Sequence, residues 1–361
     1  MIQHQEEVPV AIPYLLSPSP SPSSSPALSP TTKSLTSSKP TTTTPKAKLE
    51  PRFSLPDSTP RSSKTELVIG GVRIYIYGLD DLQRRSDTDV GVLYLAHNRT
   101  RTYQVTEGIA HEVLHSYRND GKTKSVELIA ITMNMRNHGD REISPAANLT
   151  WSDGNDNHGM DLLSLISGSA QDFKLILDYL PSYLPQFKRF YNIMAGVSLG
   201  GHTAWRMASM AQEQLHGLAM IVGCPNLSAL LLSRLGVDPA SLGTTEDEMH
   251  NVSYDRLEKV MNEEQRRRWP RPLAELVSSG DRKAADEFPA DVRLLLCNGR
   301  QDPLVPARHT AAWVRRQQER HCAEKVRFFV QDNTGHSCTK EMVGMLAAWL
   351  GNMFEVSGSG A

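Results

Sequence analysis

Cysteine is scarce in this sequence, with only Cys224, Cys297, Cys322 and Cys338 in 361 residues. Their spacing is neither that of a zinc ribbon nor dense enough for a disulfide framework. Cys224 and Cys297 lie in apolar runs, so buried free thiols and a reducing compartment are expected. An excess of one charge is lacking too, because 39 Lys and Arg against 40 Asp and Glu leave a net charge of -1. No global positive field draws such a chain to nucleic acid or to an anionic lipid surface. No apolar run approaches the ~20 residues of a membrane-spanning helix. The first fifteen residues carry Glu6 and Glu7 and no basic leader region. The expectation is a cytoplasmic protein without a membrane span, its partner a small molecule; the oligomeric state stays open.

What is present divides unevenly along the chain. Of the 29 residues 17–45, 24 are Ser, Thr or Pro, and such a stretch cannot bury enough apolar surface to offset its ordering entropy. Residues 1–64 are read as a disordered tail whose deletion should leave Tm and kcat/KM nearly unchanged, and 355–361 as a flexible C-terminal tail. Over 65–354, short β-branched or aliphatic runs alternate with segments of helical periodicity. The run 72–77 alternates with period two after Gly70-Gly71, which reads as an antiparallel entry hairpin. The runs at 91–97, 126–133, 190–198, 218–225, 292–299 and 326–332 are nearly continuous in apolar residues, as in strands covered on both faces. The fold class expected is α/β, a doubly wound, mostly parallel sheet. Residues 226–290 break the alternation with helical patches only and are read as a helical insertion. Some of its apolar residues, Leu231 or Met261 among them, are expected to face the acyl pocket.

The strongest chemical signal is Gly196-Val197-Ser198-Leu199-Gly200, placed after a predicted strand and before a predicted helix. That context is what a nucleophile elbow requires. A serine hydroxyl needs an adjacent base, oriented in turn by a carboxylate. Asp302 in CNGRQDPLVP and His336 in DNTGHSC each follow a predicted strand, in the order Ser, Asp, His. Pro303 and Pro306 should stiffen the loop that carries Asp302.

On these residues the chain resembles the α/β-hydrolase family from about Thr65 to Phe354. The resemblance implies Ser198 as nucleophile, Asp302 as acid and His336 as base. The run LAHNRT at 95–100 resembles the family's oxyanion loop, with Asn98 where Gly is usual. By that match the donors are the backbone N–H groups of Arg99 and Leu199. MNMRNHGDR at 133–141 resembles the following strand-end motif, a structural region with Asn134 where Asp is common. The implied activity is hydrolysis of a carboxylic ester, thioester or lactone through an acyl-enzyme, in the carboxylesterase, dienelactone-hydrolase-like or acyl-peptidase-like branch. It needs no metal and no organic cofactor.

Other readings stand beside this one. A serine peptidase of the prolyl-oligopeptidase-like type would use the same three residues, and an inactive hydrolase-fold binding protein would retain only the pocket. His111-Glu112-Val113-Leu114-His115 matches H-E-x-x-H, which could hold zinc. Its extended form fails, with Arg118 and Gly121 where Gly and His are required, so an ordinary helix is expected. Asp332 is read as structural, His202 as packing its helix, and Arg266-Arg267-Arg268 as a solvated face.

Overall fold

The computed structural model describes residues 48–82, 88–319 and 325–356. The expected hairpin is β1 (Lys64–Ile69) with β2 (Val72–Tyr77), antiparallel and in register from Lys64↔Tyr77 to Ile69↔Val72. The strands that follow are β3 (Thr88–Ala96), β4 (Glu127–Thr132), β5 (Phe187–Val197), β6 (Leu215–Ile221), β7 (Arg293–Gly299) and β8 (Val326–Gln331). They form one eight-stranded sheet of order β1-β2-β4-β3-β5-β6-β7-β8. Pairing is parallel from β4 across to β8. The buried centre of β3, Val92 to Ala96, is apolar throughout because helices cover both faces.

Helices α1 (Tyr103–Arg118) and α9 (Lys340–Met353) pack on one face through Ile109, Val113, Leu114, Val343, Leu346 and Leu350. Helices α2 (His158–Tyr183), α3 (Leu199–Met210) and α8 (Ala307–Glu319) cover the other, where Phe173, Trp205 and Trp313 are buried. Strand order reverses between β3 and β5, because the chain adds β4 on one side of β3 and then β5 on the other. In open α/β sheets the crevice at such a reversal, beyond the carboxyl ends of the strands, is where ligands bind.

Residues 226–290 carry four helices, α4 (Leu227–Arg234), α5 (Tyr254–Val260), α6 (Glu263–Arg268) and α7 (Arg271–Asp286), with no strand. The insertion is helical as read, but its apolar residues point elsewhere than expected. Leu231 is 0% and Met261 3% exposed within the main core, so both hold the insertion to the domain. Burial of each such side chain contributes about 1.5–3 kcal/mol, which explains the surplus of apolar residues.

Two boundaries drawn from composition also move. The chain is already laid against the domain from residue 50 onward, where Glu50 N–H donates to Asn333 O at 2.6 Å and Phe53 N–H to Cys338 O at 2.7 Å. Thr59 Oγ1 donates to Glu112 Oε2 at 2.6 Å, and Ser62 N–H to His111 Nδ1 at 3.1 Å. Residues 50–63 are thus a strap, and the reading of 1–64 as tail holds for none of these contacts; residues 1–47 lie outside the described ones. At the other end, Val356 N–H donates to Thr123 O at 3.0 Å and Lys122 Nζ to Glu355 Oε2 at 2.6 Å. Glu355 and Val356 therefore belong to the domain. Among the described residues no helix is long and apolar enough to cross a membrane.

Several histidines are buried within this framework. Burial pushes His97, His158 and His202 down to about 3. All three are neutral in the folded chain at pH 7, whereas the unfolded chain takes up protons near pH 6.5. Stability from this source is complete above about pH 6.5 and is lost as pH falls through the unfolded value towards 3. Each such proton costs about 1.4 kcal/mol per pH unit. Tm measured from pH 7 to 5 by calorimetry should fall steadily, and a flat profile would contradict the burial of these rings.

Candidate active site

Strand β5 enters α3 through Ser198, whose φ of 55° lies in the left-handed region that non-glycine residues seldom adopt. Two glycines make room for so sharp a turn. A Cβ on Gly196 would lie 2.0 Å from Gly200 O, and one on Gly200 would lie 2.1 Å from Ala96 O. Ser198 N–H donates to Ile221 O at 2.9 Å and fixes the elbow to β6. The serine oxygen is left standing at the carboxyl edge of the sheet, beside the strand-order reversal.

Asp302 and His336 arrive from the loops after β7 and β8. These loops are stitched together: Gln301 N–H donates to Thr334 O at 2.9 Å, and Thr334 N–H returns a 2.9 Å bond to Gln301 Oε1. Gly299 is required by the approach, since a Cβ there would lie 2.3 Å from Gly335 O. Thr339 then starts α9, its Oγ1 accepting from Met342 N–H at 3.3 Å while donating to Gln331 Oε1 at 2.6 Å. Both ends of the His336 loop are thereby held.

The three expected residues come together. Asp302 Oδ1 accepts from Leu304 and Val305 N–H at 2.8 and 3.0 Å, which aims Oδ2 at His336 Nδ1, 2.7 Å away. A carboxylate only accepts, so Nδ1 carries the ring proton and Nε2 presents its lone pair. Ser198 Oγ lies 2.7 Å from that Nε2 and donates to it. The Asp302 side chain is fully buried and that of His336 is 19% exposed, so the carboxylate is dry and the imidazole faces the cleft. Asp332 is exposed and pairs with Arg300, away from the imidazole.

The expected oxyanion loop follows β3 and faces the elbow. His97 Nε2 accepts from Met135 N–H at 3.0 Å, so its Nδ1–H donates to Asn98 O at 2.8 Å and holds the loop. In this loop Thr100 takes the left-handed conformation, with φ 61°. Leu199 heads α3, where first-turn N–H groups have no acceptor within the helix. Arg99 and Leu199 both line the cleft that holds Ser198 and His336, a space of about 280 Å³. Trp151, Leu162, Leu304 and Val305 give it an apolar wall, and from the insertion only Arg234 reaches it. Two larger hollows, of about 630 and 910 Å³, open at the amino ends of the strands, away from Ser198.

The remaining candidates separate cleanly. His158 and His202 line the cleft, His202 Nδ1 donating to Cys224 O at 3.1 Å, while His138 is buried against His97. His111 is occupied by Ser62 and Glu112 by Thr59, so the H-E-x-x-H segment anchors the strap. Among the described residues no cluster of His, Cys, Asp and Glu could hold a metal ion. Arg267 and Arg268 pair with Asp156 on the surface. Cys224, Cys297 and Cys338 are buried free thiols, and Cys322 lies outside the described residues. The sequence pattern marks neither Gln301 nor Arg234, because each acts through contacts made only in the fold.

Comparison with known proteins agrees with this architecture. The structure of TT1662 from Thermus thermophilus superposes with a TM-score of 0.56 at 13% identity, covering 82% of this chain and 100% of that one, a likeness of fold. Est1E from Butyrivibrio proteoclasticus is 13% identical with a TM-score of 0.46, over 81% of this chain and 97% of its own. Comparison with curated proteins gave no match. The sequence model of the alpha/beta hydrolase family matches residues 108–347, more than half of the chain and a span that contains Ser198, Asp302 and His336. The chain belongs to the alpha/beta hydrolase family.

Proposed function

We propose that the protein is a serine hydrolase that cleaves a carboxylic ester, thioester or lactone through an acyl-enzyme on Ser198. The observation that carries this reading is the unbroken relay from Ser198 Oγ to His336 Nε2 and from His336 Nδ1 to Asp302 Oδ2, at 2.7 Å each. Ser198 Oγ attacks the carbonyl carbon and its proton passes to His336 Nε2. The negative charge that develops on the carbonyl oxygen is met by the backbone N–H groups of Leu199 and Arg99. The imidazolium gives its proton to the departing oxygen, or to the sulfur of a thioester, and the bond from the carbonyl carbon to the leaving group breaks. Water then repeats the sequence on the acyl-enzyme, with His336 again as base, and restores the serine. The short apolar wall of the cleft suits an acyl chain of modest length.

A shared acyl-enzyme predicts a specific kinetic result. Butanoyl esters of p-nitrophenol, phenol and ethanol, hydrolysed in the presence of hydroxylamine, should give one ratio of hydroxamate to butyrate. Ratios that differ among the three leaving groups would mean that no common acyl-enzyme forms.

A further inference from the structure

The cleft beside Ser198 holds two guanidinium groups whose positions the reaction alone does not explain. Arg99 follows β3 and Arg234 ends α4, two elements far apart in sequence, yet both line the same 280 Å³ space with Ser198 and His336. Among the described residues neither has a carboxylate within 4.0 Å. Some other arginines are paired, Arg136 and Arg141 sharing Asp172 and Arg308 taking Glu246, while Arg282 and Arg293, like Arg234, donate to backbone carbonyls but lie away from the cleft. Arg99 Nη1 lies 3.3 Å from His158 Nδ1, and Arg234 Nη2 donates to Leu304 O at 2.8 Å. Each guanidinium has five N–H donors, so these bonds orient the groups and leave most donors for a ligand.

Burial lowers the pKa of both guanidiniums, and the like charge of Arg99 lowers that of Arg234 further. Asp153 acts on Arg99 only from a distance and is held by Thr150, while Asp302 acts on Arg234 but is committed to His336. Arg99 is half-buried and Arg234 is exposed, so water serves both, and an anion that joined them would meet two cations in one cleft. A carboxylate, planar and with two acceptor oxygens, fits the guanidinium fork.

Resting on the serine-hydrolase reading above, we infer that the substrate is an ester that itself carries a carboxylate, gripped by the Arg99 and Arg234 side chains while Ser198 attacks the ester carbonyl. The neutral His158 supports Arg99 from behind as an acceptor. The fixed charges would draw the substrate into the cleft and hold it there, so the selectivity appears in kcat/KM and weakens as salt is raised.

Two matched pairs of esters test this and show on which side of the scissile bond the charge sits. For the acyl side, p-nitrophenyl hydrogen glutarate is compared with p-nitrophenyl pentanoate. For the leaving-group side, 4-carboxyphenyl pentanoate is compared with 4-carbamoylphenyl pentanoate. In at least one pair the wild-type protein should favour the anionic ester by about tenfold or more in kcat/KM, the range expected for a hydrogen bond to a charged group. Arg234→Leu should bring that ratio close to one, and Arg234→Lys should restore part of it, with Tm followed to show that each variant is folded. A wild-type ratio at or below one in both pairs would overturn the inference, as would a ratio unchanged in both Arg234→Leu and Arg99→Leu. If the wild-type protein hydrolyses none of the four esters and takes up no fluorophosphonate, the serine-hydrolase reading itself falls, and the inference with it.

Discussion

Replacing Asp302 by Asn should lower kcat by about four orders of magnitude at neutral pH while the chain stays folded. The Asn carbonyl can keep the Leu304 and Val305 N–H groups that Asp302 Oδ1 now accepts at 2.8 and 3.0 Å. Its amide nitrogen then stands where Oδ2 now accepts from His336 Nδ1 at 2.7 Å. Two donors cannot face each other, so the imidazole moves its proton to Nε2 and can no longer take one from Ser198. The countercharge for the imidazolium is lost in the same change. Asp332→Asn, which removes only an exposed pair with Arg300, should leave kcat within about twofold, because surface ion pairs contribute about 0–1 kcal/mol. Steady-state kinetics of the two variants on one p-nitrophenyl ester decide the matter. Inactivation by Asp332→Asn with Asp302→Asn still active would assign the acid to the wrong carboxylate.

A chain beginning at Lys64 should be markedly less stable and less active than one beginning at Lys48. The shorter chain loses the bonds from Glu50 and Phe53 to Asn333 and Cys338, the residues that bracket His336, and those from Thr59 and Ser62 to α1. It also uncovers the apolar surface on which the half-buried Phe53 packs. Four hydrogen bonds at about 1 kcal/mol each and a partly buried aromatic give roughly 4–6 kcal/mol, or about 6–10 °C in Tm for a domain of about 300 residues. Because two of the four bonds hold the loop of the proposed base, kcat/KM should fall as well. Comparing the two chains by thermal melting and ester hydrolysis isolates the strap from everything that precedes it. Equal Tm and equal kcat/KM would mean that the strap only rests on the domain.

The strap also marks where sequence reading stops. Residues 50–63 have no apolar periodicity, and their order comes from partners more than 48 positions away, such as Glu112, His111 and Cys338. A polar segment ordered by distant backbone groups looks the same in sequence as one that is solvated. The sheet was legible for the opposite reason: strands buried on both faces must be apolar throughout, and those runs stand out against any background. The elbow was legible because Gly196 and Gly200 answer to a local steric demand that only glycine meets. Leu231 and Met261 pack into the main core and not against the acyl pocket, since hydrophobicity says that a side chain is covered and not by what. Arg99 was noticed for its backbone N–H, and its side chain, like that of Arg234, acquired meaning only when β3 and α4 were brought to one cleft.

The central claim is that Ser198 is a nucleophile activated by His336. Treating the native protein with a fluorophosphonate and mapping the adduct by peptide mass spectrometry tests it most directly. One phosphonyl group per chain should be found, on the peptide containing Ser198, with labelling abolished in Ser198→Ala and slowed by orders of magnitude in His336→Ala. A folded protein that remains unlabelled, or a label on another residue that persists in Ser198→Ala, would contradict the account.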